Sequence, residues 1–150
     1  MSYFTVILSH DPADWISRVL SWVTFGNVTH VALLSPGGDE VIEASSYGEP
    51  RGVRVMALEV WREHHPAHRS LRIPHPAPKQ VWGLAKSQVG KPYDYRYYLG
   101  WLFRRNWQAE DAWVCHELIC WAALHAGCGV FAVDAWRISP RDFELLYEER

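Results

Sequence analysis

Cys115 is the residue whose position in this sequence best suits covalent chemistry. It stands at the predicted start of an apolar helix that runs to His125. A thiol in the first turn of a helix faces N–H groups and the positive end of the helix dipole, which lower its pKa when a cationic partner is near. Cys115 also shares a helical stripe with four apolar residues, Leu118, Ile119, Ala122 and Ala126. Core packing therefore explains this cysteine as well as catalysis does. A base elsewhere in the chain would favour catalysis.

The other two cysteines, Cys120 and Cys128, lack this setting. Cys120 lies in the middle of the helix, about 140° around its axis from Cys115, so we expect a structural role. Cys128 lies in a loop after the helix. An odd number of cysteines makes no disulfide framework, and the C-x-x-C pair of a structural zinc site is absent. The sequence therefore predicts free thiols in a reducing compartment, no metal and no cofactor.

A base for the cysteine comes from a predicted β-hairpin. Residues 29–34 and 39–45 are two β-rich runs separated by a four-residue loop. Counting outward from this loop places His30 directly opposite Glu43, where Cβ atoms lie roughly 4.5 to 5.5 Å apart. Glu43 would then orient His30 like the third member of a catalytic triad. The alternative is a polar pair on a solvated face, and a slip of one residue would separate the two side chains.

Other histidines compete for these roles. His116 directly follows the cysteine, but adjacent helix residues point about 100° apart and do not face one another, so His30 is preferred as the base. Four histidines lie among prolines without the spacing of a metal site, and we expect solvated surface there: His64, His65, His68 and His75. Whether residues 62–78 form a lid is left open.

The remaining elements must position these groups. Further strands are predicted at residues 3–9, 52–58 and 70–73, with a short extended piece at 130–133. Further helices are predicted at residues 12–24, 78–89 and 97–103, and a last one after a cap at residues 139–142. We expect an α+β fold with a central antiparallel sheet built from the segments around Tyr3, His30, Glu43, Val53 and Leu71. The cysteine helix should pack across this sheet, with its first turn meeting the His30 strand.

The composition of the chain bounds its class. It has 150 residues, a formal charge of −2 and no long run of one sign. This length is typical of one globular domain, here residues 1–150, and a nucleic-acid site would need a clustered basic surface. The apolar run that stops at Ser9 is too short for a signal peptide or a membrane span. We therefore expect no nucleic-acid partner, no stable membrane insertion and a cytoplasmic location by default. Delivery by another route and the oligomeric state stay open.

Four motifs together resemble the circularly permuted branch of the NlpC-type papain-like cysteine peptidases, the YiiX-like group. They are His30 in Thr-His-Val-Ala-Leu-Leu, Glu43 in Val-Ile-Glu-Ala, Tyr93 in Gly-Lys-Pro-Tyr-Asp, and Cys115 in Trp-Val-Cys-His-Glu-Leu-Ile. In the unpermuted superfamily the cysteine helix precedes the histidine strand, whereas here the histidine comes first. The resemblance spans residues 3 to about 145 and implies a permuted papain-like catalytic domain.

The resemblance also implies roles for these residues. Cys115 would be the nucleophile, His30 its general base, and Glu43 the residue that orients His30. Tyr93 would place its hydroxyl near the oxyanion site. One residue departs from the pattern, because His116 stands where the family commonly has serine after the cysteine.

The function implied is hydrolysis of a small amide or peptide bond, with cell-wall-type peptides favoured as substrates. One alternative is an acyltransferase or thioesterase that uses the same Cys–His pair on a lipid or other acyl substrate. The abundant aromatic residues, nine Trp and seven Tyr, would suit its acyl groove. A second alternative is a catalytically silent ligand-binding module without an ionised thiol.

Overall fold

Five strands form one antiparallel sheet in the computed structural model, which describes residues 2–10, 15, 18–19, 22, 27–103, 105–107 and 111–148. The strands are β1 (Tyr3–Ser9), β2 (His30–Leu34), β3 (Glu40–Ser45), β4 (Gly52–Ala57) and β5 (His68–Pro74). Their order across the sheet is β4-β3-β2-β1-β5. The predicted α+β class is confirmed, and so are all five segments of the predicted sheet.

Helices follow and flank these strands. They are α1 (Leu58–His64), α2 (Pro78–Lys86), α3 (Tyr95–Leu102), α4 (Cys115–His125) and α5 (Pro140–Glu148), with a 3₁₀ turn at Ala135–Arg137. The cysteine helix, α4, packs against β2, β3 and α2. Within the described ranges, no helix has the length and apolar character needed to cross a membrane.

Both faces of the sheet are covered, because successive residues of a strand point to opposite sides. The face toward α2 and α4 carries the larger core, which includes Val6, Leu8, Val31, Leu33, Ile42, Val81, Leu118 and Ile119. The opposite face packs against α1 through a smaller cluster of Ile7, Ala32, Val41, Leu58 and Trp61. The central strands are therefore apolar on both sides, and their sequences read as nearly continuous apolar runs.

The pairing in the β2–β3 hairpin differs by two positions from the prediction. Leu34 pairs with Val41 and not with Asp39. The cause is Ser35, whose side-chain oxygen accepts the backbone N–H groups of Gly38, Asp39 and Glu40 at 3.0 to 3.1 Å. These bonds hold Asp39 in the loop. A shift of two residues leaves every side chain on its predicted face.

Other predicted elements were wrong in part. The helix α1 was not predicted, and residues 130–133 form bends and not an extended piece. The chain there packs Phe131 edge-on against Phe143 and pairs with no strand in the described part of the chain. The helix α2 ends at Lys86, short of the predicted residue 89. The predicted helix at residues 12–24 lies largely outside the described residues.

Two of the histidines expected on a solvated surface are buried instead, His65 and His75. The ring of His75 donates from Nε2 to the carbonyl oxygens of Ala123 and Cys128, and its Nδ1 accepts the N–H of Ala77. This histidine therefore ties the loop after β5 to the end of α4. The spacing of the histidines in the sequence did not reveal the two carbonyl partners, which lie 48 and 53 residues away along the chain.

Candidate active site

His30 and Glu43 are in direct contact. His30 is the first residue of β2, and its Nε2 lies 2.5 Å from Oε2 of Glu43 in β3. With the observed strand pairing continued, Glu43 stands diagonal to His30 and not directly opposite it. Diagonal neighbours on one face remain within reach of long side chains, so the contact survives the shifted register.

Glu43 is buried and holds two further partners. Oε1 accepts from Nε and Nη2 of Arg54, at 2.9 and 2.8 Å. Oε2 accepts from the indole N–H of Trp61 at 2.8 Å. Burial alone would raise the pKa of Glu43, but the charge and hydrogen bond of His30, the charge of Arg54 and the Trp61 bond hold it well below its usual range. Glu43 is therefore a carboxylate with a fixed orientation.

A stack of rings holds His30 from its other side. His65 lies parallel to the Trp61 ring with centroids 4.1 Å apart, and the ring of His30 lies 5.5 Å beyond it. Nδ1 of His65 donates to the backbone oxygen of Trp61 at 2.9 Å. The helix α1 thus supplies the Trp61 hydrogen bond to Glu43, and His65, the residue that follows the helix, packs against the His30 ring.

Cys115 is the first residue of α4 and is buried. The segment before it is held by the loop that follows α2. Trp113 donates its N–H to Pro92 O and accepts the N–H of Asp94, at 3.0 Å each. This pairing makes an isolated parallel bridge between Tyr93 and Trp113. The loop therefore sets where the helix, and with it the thiol, begins.

The Cys115 thiol and the His30 ring shift each other's pKa. Burial by itself raises the pKa of Cys115, but hydrogen bonds with His116 and His30 and the charges of both rings lower it to about 5. Burial likewise disfavours the His30 cation, yet Glu43 and a hydrogen bond with Cys115 raise the pKa of His30 to about 10. Between these values the stable form of the pair is a thiolate beside an imidazolium.

The two groups come from opposite faces of the sheet. His30 and Glu43 alternate along their strands with Val31 and Ile42, which face α4, so both point toward α1. Cys115 belongs to the helix on the other face. The thiol and the ring interact because each is the first residue of its element, where strand and helix both begin. Nε2 of His30 is engaged by Glu43, which leaves Nδ1 for the sulfur.

Tyr93 lies close to this site along the backbone. It is buried, and its ring packs edge-on against Tyr95 with centroids 5.0 Å apart. Its backbone is paired with Trp113, two residues before Cys115. The role of its hydroxyl at an oxyanion site stays a prediction.

His116 also contacts the sulfur, which the sequence argument missed. Its Nδ1 lies 3.8 Å from Sγ of Cys115, and its Nε2 lies 2.8 Å from the hydroxyl of Tyr97. The expectation that adjacent helix residues do not face one another was therefore wrong for this pair. A long side chain at the first turn can lean back over its neighbour, so helical spacing does not exclude the contact.

The other thiols have different surroundings. Burial, followed by the nearby charges of Glu117 and Cys115, raises the pKa of Cys120. Cys128 is exposed. Cys115 is thus the thiol for which the structure provides imidazole partners and a lowered pKa.

Three side chains of the site are of the types that ligate metal ions. In the described part of the chain, ligand atoms of His30, Glu43 and His65 lie within 4.8 Å of one another. Both oxygens of Glu43 already accept hydrogen bonds, and the Arg54 cation lies against one of them. An added cation would have to displace these partners, so we assign no metal to the group.

Two further side chains of the site, Arg54 and Trp61, were not predicted. Arg54 had a visible signal in the sequence, because it interrupts the apolar strand Val-Arg-Val. In the structure it lies directly opposite Glu43 in the pairing of β3 with β4. Trp61 gave no signal, since it lies on a helix that was not predicted.

No protein-family model matches the chain, and no curated protein matches it either.

Proposed function

We propose that the protein is a cysteine hydrolase that cleaves a small amide or peptide bond, with Cys115 as the nucleophile. The observation that carries this proposal is the buried Cys115 thiol at the start of α4, with Nδ1 of His116 3.8 Å from its sulfur and with both His116 and His30 lowering its pKa to about 5. Thiolates with such a low pKa occur mainly where a cationic partner activates a nucleophile. A cysteine that only fills the core does not need this environment, and Cys120 in the same helix lacks it.

The proposed reaction begins from the ion pair. The Cys115 thiolate attacks the carbonyl carbon, and the electron pair of the C=O bond moves to oxygen. The His30 imidazolium then donates its proton to the leaving nitrogen as the C–N bond breaks. Neutral His30 takes a proton from water, the resulting hydroxide attacks the thioester, and the thiolate and imidazolium are restored. Glu43 stabilises the imidazolium whenever it forms and does not itself exchange a proton.

The oxyanion would be stabilised at the start of α4. The first N–H groups of a helix have no partner within the helix, and Val114 at the N-cap makes no side-chain bond to them. They therefore suit a negative oxygen. The resemblance to the family adds the Tyr93 hydroxyl at the same position.

We also propose that the chain belongs to the permuted papain-like group. The supporting features are the order along the chain, with the His30 strand before the Cys115 helix, and an antiparallel sheet against which that helix packs. The family favours peptide amides of the cell-wall type. The same Cys–His pair would serve acyl transfer or thioester cleavage, so the substrate class must come from assay.

The test compares two alanine variants of the same helix. Wild type, Cys115→Ala and Cys120→Ala are assayed on amide, ester and thioester substrates with mass-spectrometric detection of products and of an acyl-enzyme. Cys115→Ala should lose about 10³-fold or more of the rate, while Cys120→Ala stays within about tenfold of wild type. Equal activity in Cys115→Ala would overturn the proposal. Transfer of the acyl group to an added acceptor, with little hydrolysis, would favour the acyltransferase alternative.

A further inference from the structure

His116 occupies a buried position with defined partners for both ring nitrogens. The side chain is fully shielded from solvent. Nε2 faces the Tyr97 hydroxyl at 2.8 Å, and Nδ1 faces the Cys115 sulfur at 3.8 Å. The ring also packs edge-on against the Tyr97 ring, with centroids 5.0 Å apart.

The hydrogen bonds of Tyr97 determine the tautomer of this ring. The Tyr97 hydroxyl donates to the backbone oxygen of Ile138 at 2.5 Å, and the oxygen of Ala135 lies at 3.2 Å. Backbone carbonyls only accept, and a hydroxyl has one hydrogen. The phenolic oxygen must therefore accept from His116, which places the ring proton on Nε2. A neutral His116 consequently presents the lone pair of Nδ1 to the thiol.

We propose that His116 is a second proton acceptor for the Cys115 thiol, in addition to His30, and that Tyr97 positions it for this role. The proposal rests on the function above, in which Cys115 is the nucleophile. The S–H bond of Cys115 breaks, its electron pair stays on sulfur, and the proton moves to Nδ1 of His116. Nε2 keeps its own proton and its bond to Tyr97.

The two imidazoles are not equivalent. His30 faces the carboxylate of Glu43, which stabilises its positive charge. His116 faces a neutral phenol, so its cation lacks a carboxylate partner in the contacts described. His30 therefore holds the proton more firmly, and a His116 that has taken a proton on Nδ1 adds a second donor and a second positive charge beside the thiolate. Two rings face the Cys115 sulfur, His30 from β2 and His116 from α4. Tyr97 of α3 contacts the far side of the His116 ring, at Nε2.

The test follows the ionisation of Cys115 and needs no substrate. Each variant is made with Cys128→Ser, which removes the exposed thiol, and its rate of alkylation by iodoacetamide is measured from about pH 4 to 9. His116→Gln keeps an amide near the position of Nε2, beside Tyr97, but removes Nδ1, the nitrogen beside the sulfur. His116→Asn is the matched variant, because its amide nitrogen lies near the Nδ1 position and donates to a thiolate.

The proposal predicts a graded series. His116→Gln should raise the midpoint of the alkylation curve by about one pH unit, and His116→Asn should raise it less. His30→Ala should keep a midpoint below that of an ordinary thiol, 9.0, and adding His116→Gln should raise it to that value or above, because burial alone raises the pKa of Cys115. Tyr97→Phe should release the ring tautomer, which nitrogen chemical shifts of His116 report directly. Replacing a purely structural His116 would leave the midpoints of the alkylation curves unchanged once unfolding is excluded by circular dichroism.

The outcomes separate the two proposals. The role of His116 alone would be overturned if the wild-type midpoint is low and His116→Gln leaves it unchanged. It would also be overturned if the variant that combines His30→Ala with His116→Gln has the same midpoint as His30→Ala. An ordinary thiol midpoint in wild type would overturn the nucleophile and the role of His116 together.

Discussion

Glu43 is the residue on which the candidate site depends most. Its two oxygens accept from an imidazole, a guanidinium and an indole, and it is nearly inaccessible to solvent. Arg54 balances its charge from one side and His30 from the other. With the Cys115 thiolate, the site then holds two cations, Arg54 and His30, and two anions, Glu43 and Cys115. Pairing of this kind offsets the desolvation penalty of buried charges.

Replacing Glu43 with Gln should destabilise the fold as well as the site. Arg54 would be left as a largely buried cation without its carboxylate, and such a loss costs about 3 to 5 kcal/mol. The pKa of His30 should fall because its anionic neighbour is gone. Urea denaturation measures the free energy of unfolding, and the alkylation curve of Cys115 reports the loss of the ion pair.

Glu49→Gln is the matched control for this change. Glu49 pairs with Arg51, but both side chains are mostly exposed, so the pair contributes little. Its free energy of unfolding should stay within about 0.5 kcal/mol of wild type. Similar losses in both variants would mean that the Glu43 network is not a buried structural unit.

Among the elements, β4 joins the sheet to the start of the cysteine helix. Val53 donates its N–H to Lys91 O, and Gly90 donates to Val53 O, both at 2.9 Å. The loop thus fixed pairs in turn with Trp113, just before α4. The close approach requires Gly52, since an added Cβ would lie 2.2 Å from Lys91 O.

Gly52→Ala should therefore separate the loop from β4. The φ of Gly52 is 101°, a conformation that alanine rarely adopts, and the clash is with backbone atoms that cannot move aside. We expect a loss of at least about 2 kcal/mol in the free energy of unfolding. The Cys115 alkylation curve should also move toward that of an ordinary thiol.

Gly83→Ala provides the opposite control. Gly83 lies inside α2, and an added Cβ would contact nothing within 4 Å. Alanine lowers the entropy of the unfolded chain and favours helix, so it should stabilise the protein by about 0.5 to 1 kcal/mol. Equal effects of the two substitutions would contradict the close approach at Gly52.

The elements also show where sequence patterns were sufficient. Strand β1 and the extent of α4 follow from local composition, and both agree with their predicted bounds. The hairpin register did not follow, because the Ser35 side chain binds the N–H groups of residues 38–40 and moves the pairing by two positions. Turn chemistry of this kind involves a side chain, and a count of residues does not include it.

At the scale of the whole molecule, the ion pair couples stability to pH. The raised pKa of His30 contributes stability that is complete below its ordinary value of 6.5 and is lost as pH rises through about 10. The lowered pKa of Cys115 contributes stability that is complete above its ordinary value of 9.0 and is lost as pH falls through about 5. Between 6.5 and 9.0 the folded pair and the unfolded pair each hold one proton, so their contribution is constant.

Cys115→Ala should remove this compensation. His30 still keeps its proton in the folded state because of Glu43, whereas the unfolded histidine releases it above its ordinary pKa of 6.5. The free energy of unfolding of the variant should therefore fall relative to wild type by about 1 kcal/mol from pH 7 to 8. Urea denaturation at the two pH values measures the difference. Cys120→Ala should run parallel to wild type, since the raised pKa of Cys120 keeps that thiol protonated in this window.

The sequence by itself determined the α+β class, the five strand segments, and Cys115 at the start of an apolar helix. These features depend on local patterns of apolar residues and on caps, which act over a few positions. It also identified His30 and Glu43 as neighbours, because their shared strand face tolerates a shift of two residues.

Only the tertiary structure decided which groups surround the thiol and the carboxylate. Arg54 and Trp61 reach Glu43 from β4 and α1, and Tyr97 reaches His116 from α3. Burial of charged groups depends on neighbours that are distant along the chain, and so do the pKa shifts that burial and pairing produce. Helix spacing did not decide whether Cys115 is a core residue or an ionised thiol. The ionisation of its thiol depends on His30 and His116, which packing places beside it.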